Sequence, residues 1–318
     1  MGNVDNVLET ALCLAADNGD EQMVIFLLQQ GPNVEGNSTQ RIDERHQNLG
    51  PMDTVAAPLL LAATNGQESI VSILLRNGAN AHCKGELRTR RSGTIDELDK
   101  SYLDGLSCTP LVAACYWGHA SVAKRLFRHD PWGYASHDTF TSAVKAALSC
   151  NKKHVSGILL HEAICAKFSA GQLDGAFRYA CAKGCTEFVE NVLKHFSPRN
   201  WPDALLLAAD RGRSAVVEAL LHSGADMNVS DKNGNLALDL VIENIKRYRN
   251  TCWMFNPPCW IEILGILLRA GADTTDLTGK IKNILPDIAR SSSIGVWTAL
   301  GRRPFTLFRC FGMGFARW

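Results

Sequence analysis

Small and large apolar residues recur along this chain in one phrase: a small pair, a Gly four positions after its first member, then an aliphatic pair. It reads Ala15-Ala16, Gly19, Leu27-Leu28 near the start, then Ala62-Ala63, Gly66, Leu74-Leu75, then Ala114-Cys115, Gly118, Leu126-Phe127. Further copies are Ala180-Cys181, Gly184, Val192-Leu193 and Ala208-Ala209, Gly212, Leu220-Leu221. In each, the first small residue precedes the first large one by 12 positions. Apolar residues three and four apart share one helix face, so the phrase predicts two antiparallel helices per copy with Gly turning the chain between them. Self-similarity at a fixed period predicts stacked units, which build a long surface rather than a closed pocket.

The third copy is the clearest, running Asp104-Gly105-Leu106-Ser107-Cys108-Thr109-Pro110-Leu111-Val112-Ala113-Ala114-Cys115-Tyr116-Trp117-Gly118-His119. Thr109 is placed to cap a helix and Pro110 to occupy its first turn, where a missing N–H costs nothing. Leu111, Ala114 and Cys115 fall on one face; Val122, Ala123, Leu126 and Phe127 form the stripe of the following helix. The exits Leu74-Leu75-Arg76-Asn77-Gly78-Ala79-Asn80, Leu220-Leu221-His222-Ser223-Gly224-Ala225-Asp226 and Leu267-Leu268-Arg269-Ala270-Gly271-Ala272-Asp273 repeat a second motif. There Gly supplies a left-handed turn and Asn or Asp closes the bend. Together these residues resemble the ankyrin-repeat family over roughly residues 7 to 300. The resemblance implies an all-α ankyrin-repeat solenoid of antiparallel helix pairs with short β-hairpins along one edge.

The fourth copy is read as Ala146-Ala147, with Cys150 in place of Gly, continuing to Ile158-Leu159, and the fifth lacks Thr-Pro before Ala180-Cys181. The starts at 15, 62, 114, 146, 180, 208 and 241 are spaced by 47, 52, 32, 34, 28 and 33 residues. Against a period of about 33, two intervals carry insertions and one is shortened by loss of a hairpin. Residues 1–275 are thus expected to hold about seven repeats, with insertions near 34–53, 84–104 and 246–258. Residues 276–300 read as a capping repeat and 301–318 as an aromatic, basic tail.

The first two insertions fall between repeats and are expected to project from the hairpin edge. The second is segregated by charge, Lys84, Arg88, Arg90 and Arg91 preceding Asp96, Glu97, Asp99 and Asp104. The third, with Lys246, Arg247, Arg249, Trp253 and Phe255, separates the two helices of repeat seven. The tail holds four Arg and four Phe but no acid. Covering the open end of the last repeat is its favoured role, with disorder or contact with a membrane surface as alternatives.

With 46% hydrophobic residues among 318, the chain can bury a large core. A formal charge of +1 gives no global field toward nucleic acid or anionic lipid. Residues 1–10 lack the apolar core of a secretory signal, and no window is apolar enough to span a bilayer. The opening Met1-Gly2-Asn3 resembles a myristoylation signal, but position six is Asn rather than Ser or Thr. Eleven Cys, several at small core positions (Cys13, Cys115, Cys181), fit a reducing compartment better than a disulfide framework. An intracellular location, cytoplasmic or nuclear, is expected.

Catalytic chemistry finds little support. His161-Glu162-Ala163-Ile164-Cys165 begins like a zinc-protease signature, but its second His is absent, and a helix exit with a solvated His-Glu is expected instead. Gly279-Lys280 lacks a phosphate-loop context, and Cys252 and Cys259 lack zinc-ligand spacing. His119 beside Cys115 is expected to pack and hydrogen-bond rather than act as a base. No enzyme activity, metal or cofactor is therefore expected.

The resemblance implies non-enzymatic binding of another protein by the concave groove and hairpin tips, with a substrate adaptor or regulatory subunit of a larger complex as the alternative. In the family, the residues just before the inter-helix Gly commonly face the groove, which makes Tyr116 and Trp117 candidate anchors, joined by Lys183, Asp210 and Arg211. The protein is expected to be monomeric, without nucleic acid and without stable membrane insertion.

Overall fold

The structure, a computed structural model, describes residues 2–36, 57–86, 107–136, 138–251 and 258–272. The chain divides into two units, Met1–Ala176 and Phe177–Trp318. In the first, α1 (Gly2–Asn18), α3 (Pro58–Thr64), α5 (Pro110–Trp117) and α8 (Thr139–Ser149) pack successively as an inner layer. Their antiparallel partners α2 (Glu21–Gln29), α4 (Glu68–Arg76), α6 (Ala120–His129) and α9 (Lys153–Cys165) form an outer layer. Between the layers lie the residues the repeat pattern marks: Ala62, Ala63, Ala114, Cys115, Val122, Ala123, Leu126 and Phe127 are all fully buried. Small residues on the inner helices let these layers approach closely; large ones on the outer helices fill the space that remains.

Helix α10 (Ala170–Lys183) leads to α11 (Thr186–Leu193), and the second unit continues with α12 (Ala204–Asp210), α13 (Ser214–His222), α14 (Ala237–Thr251) and α15 (Pro258–Arg269). There α12 packs on α14, and α13 on both α11 and α15. The short interval before α12 carries a 3₁₀ turn, Pro198–Asn200, and buries Trp201 against Phe177 with ring centroids 4.1 Å apart.

Four of the inter-helix Gly residues, Gly19, Gly66, Gly118 and Gly184, are needed for two reasons. Gly66 has φ 75°, in the left-handed region, and a Cβ there would stand 2.5 Å from His119 Nδ1. The same clash recurs between Gly19 and Gln67, Gly118 and Lys152, and Gly184 and Arg213. These neighbours occupy one repeat position, and three of them cap the preceding repeat's inner helix. Gln67 Nε2 donates to the carbonyl of Asp17 (3.2 Å), His119 to that of Thr64 (3.0 Å) and Arg213 Nε to that of Ala182 (2.9 Å). The last carbonyls of a helix lack intrahelical partners; here the next repeat supplies them.

The fourth copy sits one residue later than its sequence suggests. Cys150 keeps a negative φ of −87°, and Asn151 takes the left-handed turn at φ 56°. The turn bond from Lys152 N to Ala147 O matches that from His119 N to Ala114 O. The phrase is therefore Ala147, Asn151, Leu159-Leu160, and both flanking intervals become 33 residues. Asn replaces Gly because its short polar side chain tolerates the left-handed region.

Other expectations need correction. Thr109 takes the capping position, but its hydroxyl makes no capping bond and is buried instead. Helix α14 runs on through Lys246, Arg247 and Arg249, so these residues extend a helix rather than an insertion, anchored by buried Val241, Ile242 and Ile245. A short helix, α7 (Pro131–Ser136), was not anticipated; it buries Tyr134, whose hydroxyl donates to Ala81 O at 3.0 Å.

Among the described residues, the first unit holds a short antiparallel strand pair and the second an isolated β-bridge. Strands β1 (Gly85–Glu86) and β2 (Ser107–Cys108) pair antiparallel, Glu86 opposite Ser107, so the second insertion leaves and returns at one hairpin base. Ser230 bridges Leu236, with Asp231 accepting from the backbone of Asn233 and Asn235 within the turn. The first insertion's loop, the expected cap at 276–300 and the tail at 301–318 lie outside the described residues.

Candidate protein-binding surface

The inner-helix C-termini carry the residues singled out above. Trp117 closes α5 with 41% of its surface exposed, while Tyr116 is only 7% exposed. Their rings meet edge-on, centroids 5.3 Å apart. Tyr116 is thus a core ring, contrary to its expected groove-facing orientation, and of the two only Trp117 offers aromatic surface. Burial extends nearly all round this helix, which packs on α3, α6 and α8: Ala113, Ala114 and Cys115, just before Tyr116, are fully buried too.

Trp117 stands where other repeats place a polar linker. Asn65, at the same repeat position, donates to both the carbonyl and Oδ1 of Asp17, each at 2.9 Å. Asn244 repeats the arrangement on Asp210, at 3.0 and 3.1 Å. These asparagines fasten one inner helix to the one before it. In the third copy that position carries an exposed indole instead.

In the second unit, Lys183 is half-buried, its ammonium 5.9 Å from the centre of the Tyr179 ring. Asp210 Oδ2 lies 3.6 Å from Arg211 Nε, while its carbonyl also accepts from Trp260 Nε1 at 3.4 Å. Asp210 is therefore occupied between repeats, and Arg211 is the exposed member of that pair.

The candidates for chemistry resolve as packing. Cys115 is fully buried, which drives its thiol far above the ordinary range, and His119 is committed to the Thr64 carbonyl. Burial likewise pushes Cys13 up to about 11 and Cys181 up to about 12, so these thiols stay protonated as core residues. Glu162 is not solvated as expected. It is 5% exposed and accepts from Arg128 Nε at 2.6 Å and Arg128 Nη2 at 3.0 Å, with Lys124 Nζ at 3.4 Å. The hydrogen bond from Arg128 chiefly holds its carboxyl below the ordinary range. No sequence signal in α9 alone could show this, because both cations belong to α6.

The ankyrin-repeat family model matches residues 8–37, 56–86 and 203–232, which carry the same phrase, turn and exit described above. Those three segments are ankyrin repeats. Among solved structures, the ankyrin repeat domain of Bcl-3, described as a unique member of the IkappaB protein family, is similar at 18% identity and a TM-score of 0.51, covering 72% of this chain and 92% of that one. The human ASB11 ankyrin repeat domain is 23% identical over 72% of this chain and 90% of its own, with a TM-score of 0.45. No curated protein sequence matches significantly. The fold is the all-α ankyrin-repeat solenoid, and ankyrin repeats are generally protein–protein interaction modules. Among the described residues, no helix is long and apolar enough to cross a membrane.

Proposed function

We propose that this protein is a non-enzymatic interaction module that holds a partner protein on its inner-helix face and hairpin tips, with Trp117 as an anchor. The supporting observation is the indole's exposure at a position where Asn65 and Asn244 serve inter-repeat bonding. Large rigid aromatics bring contact area at low entropic cost and dominate binding energies. Arg211, exposed beside the occupied Asp210, adds a charged contact on the second unit.

Affinity capture with the intact protein and its Trp117→Ala variant tests this reading. Partners recovered by the wild type should be lost or reduced about tenfold or more, equivalent to at least about 1.4 kcal/mol, while the melting temperature stays nearly constant. Tyr116→Ala is the contrasting variant, expected to unfold early because it empties a core site. Unchanged capture by Trp117→Ala would overturn the anchor.

A further inference from the structure

We propose that the exposed apolar face of the first repeat is a second docking surface, which takes a basic amphipathic helix of a partner protein. At its centre is Met23 on α2, 45% exposed. Counted from the small pair of each copy, Met23 shares its position with Ile70, Val122, Val155, Phe188 and Val216, all of them buried. In those later repeats the stack buries the position, and the first repeat leaves it open. Phe26, one turn further along α2, is 57% exposed. On α1, Val7 is 65% exposed; Ala11 and Leu14, on the same helix face, are half-buried where Pro58, Leu61, Pro110 and Ala113 are buried. Contiguous exposed apolar surface of this kind marks an interaction site.

Charge decides the occupant. Residues 1–40 carry Asp5, Glu9, Asp17, Asp20, Glu21 and Glu35, and not one Lys, Arg or His. Exposed Asp20 and Glu21 stand within a turn of Met23, whose backbone N–H donates to Asp20 Oδ1 at 3.0 Å. The acidic field reaches the interior: burial raises the Cys13 thiol, and the carboxylates of Glu9 and Asp17 push it the same way. Two copies of this face would set like charges against each other, which disfavours a homodimer through it. A helix with Lys or Arg flanking an apolar stripe matches both the apolar and the acidic parts. The stack shows that the Met23 position receives helices, since α4 packs on α2 and α6 on α4. The surface lies two repeats away from Trp117 and does not depend on it.

Fluorescence anisotropy of a labelled synthetic helix, with Lys flanking a Leu stripe, tests the surface on the intact protein. The same helix with Glu in place of Lys is the control. The expected result is saturable binding of one Lys helix per chain, weakened by salt, with the Glu helix bound at least about tenfold less tightly. Met23→Gln combined with Phe26→Gln should weaken the Lys helix about tenfold or more, and Glu21→Gln should reduce the salt dependence. Trp117→Ala should leave binding intact, with circular dichroism verifying the fold of every variant. No binding by the wild type, equal binding of the two helices, or binding that survives the Met23 and Phe26 substitutions would overturn the proposal. So would a wild-type dimer in analytical ultracentrifugation that the same double variant dissociates, because the face would then join two copies of this chain.

Discussion

Gly66 shows how much one residue carries in this protein. Its φ of 75° strains any L side chain, and the nearest atom to an added Cβ is 2.5 Å away on His119. Gly66→Ala should therefore cost more than the roughly 1 kcal/mol of a simple left-handed penalty, measured by urea unfolding, because His119 must also leave the Thr64 carbonyl. A cost below that figure would mean the imidazole moves freely. Glu162 carries a different dependence. Arg128 and Lys124 of α6 face it, with His161 Nδ1 at 3.8 Å from Oε1. Since its folded pKa lies below the ordinary 4.5, its contribution is complete above that value and is lost as pH falls through the folded value. Glu162→Gln should thus lower the melting temperature at pH 7 and flatten its decline below about pH 4.5. Parallel curves for variant and wild type would refute this.

At the scale of the element, the fourth copy separates two registers that composition leaves open. Ala143, Ala146 and Ala147 are all small, and with no Gly to mark the turn, either spacing fits the chain. Only the backbone reveals that Asn151 turns it. The substitution test is direct. Asn151→Gly should stabilise the protein by up to about 1 kcal/mol, whereas Cys150→Gly, which the earlier register would recommend, should destabilise it by about 0.5–1 kcal/mol. Chemical denaturation of both variants decides between the registers. Elsewhere the repeat phrase made helices and turns readable, because Gly78, Gly224 and Gly271 all adopt the left-handed exits their motifs imply. What remained hidden depends on neighbours distant in sequence: the burial of Glu162 rests on α6, and that of Tyr116 on flanking inner helices. Helix α7 escaped notice because Pro131-Trp132-Gly133-Tyr134 is too short for a periodic signal.

For the whole molecule, the insertion between β1 and β2 tests how independent the stack is of its loops. Glu86 faces Ser107, which is the register a two-residue hairpin turn requires. Replacing residues 87–106 with Asn-Gly should preserve the fold and keep the melting temperature within about 5 °C, since loop length affects stability only logarithmically. Loss of cooperative unfolding would show that the insertion supports the core. The surface chemistry follows a similar division: the core pattern says how repeats stack, while partner choice depends on single exposed residues such as Trp117, which no periodicity selects.

The carbonyl caps also have a mechanical consequence. Gln67 and His119 reach backward to Asp17 and Thr64, and Arg213 backward to Ala182. Within each unit, then, these inner-helix ends are latched by the following repeat. Tension applied from the C-terminal side releases a latch before it disturbs the repeat beneath, so the stack peels like a row of overlapping tiles. Force–extension traces should show successive steps, and His119→Ala should remove resistance at one of them alone.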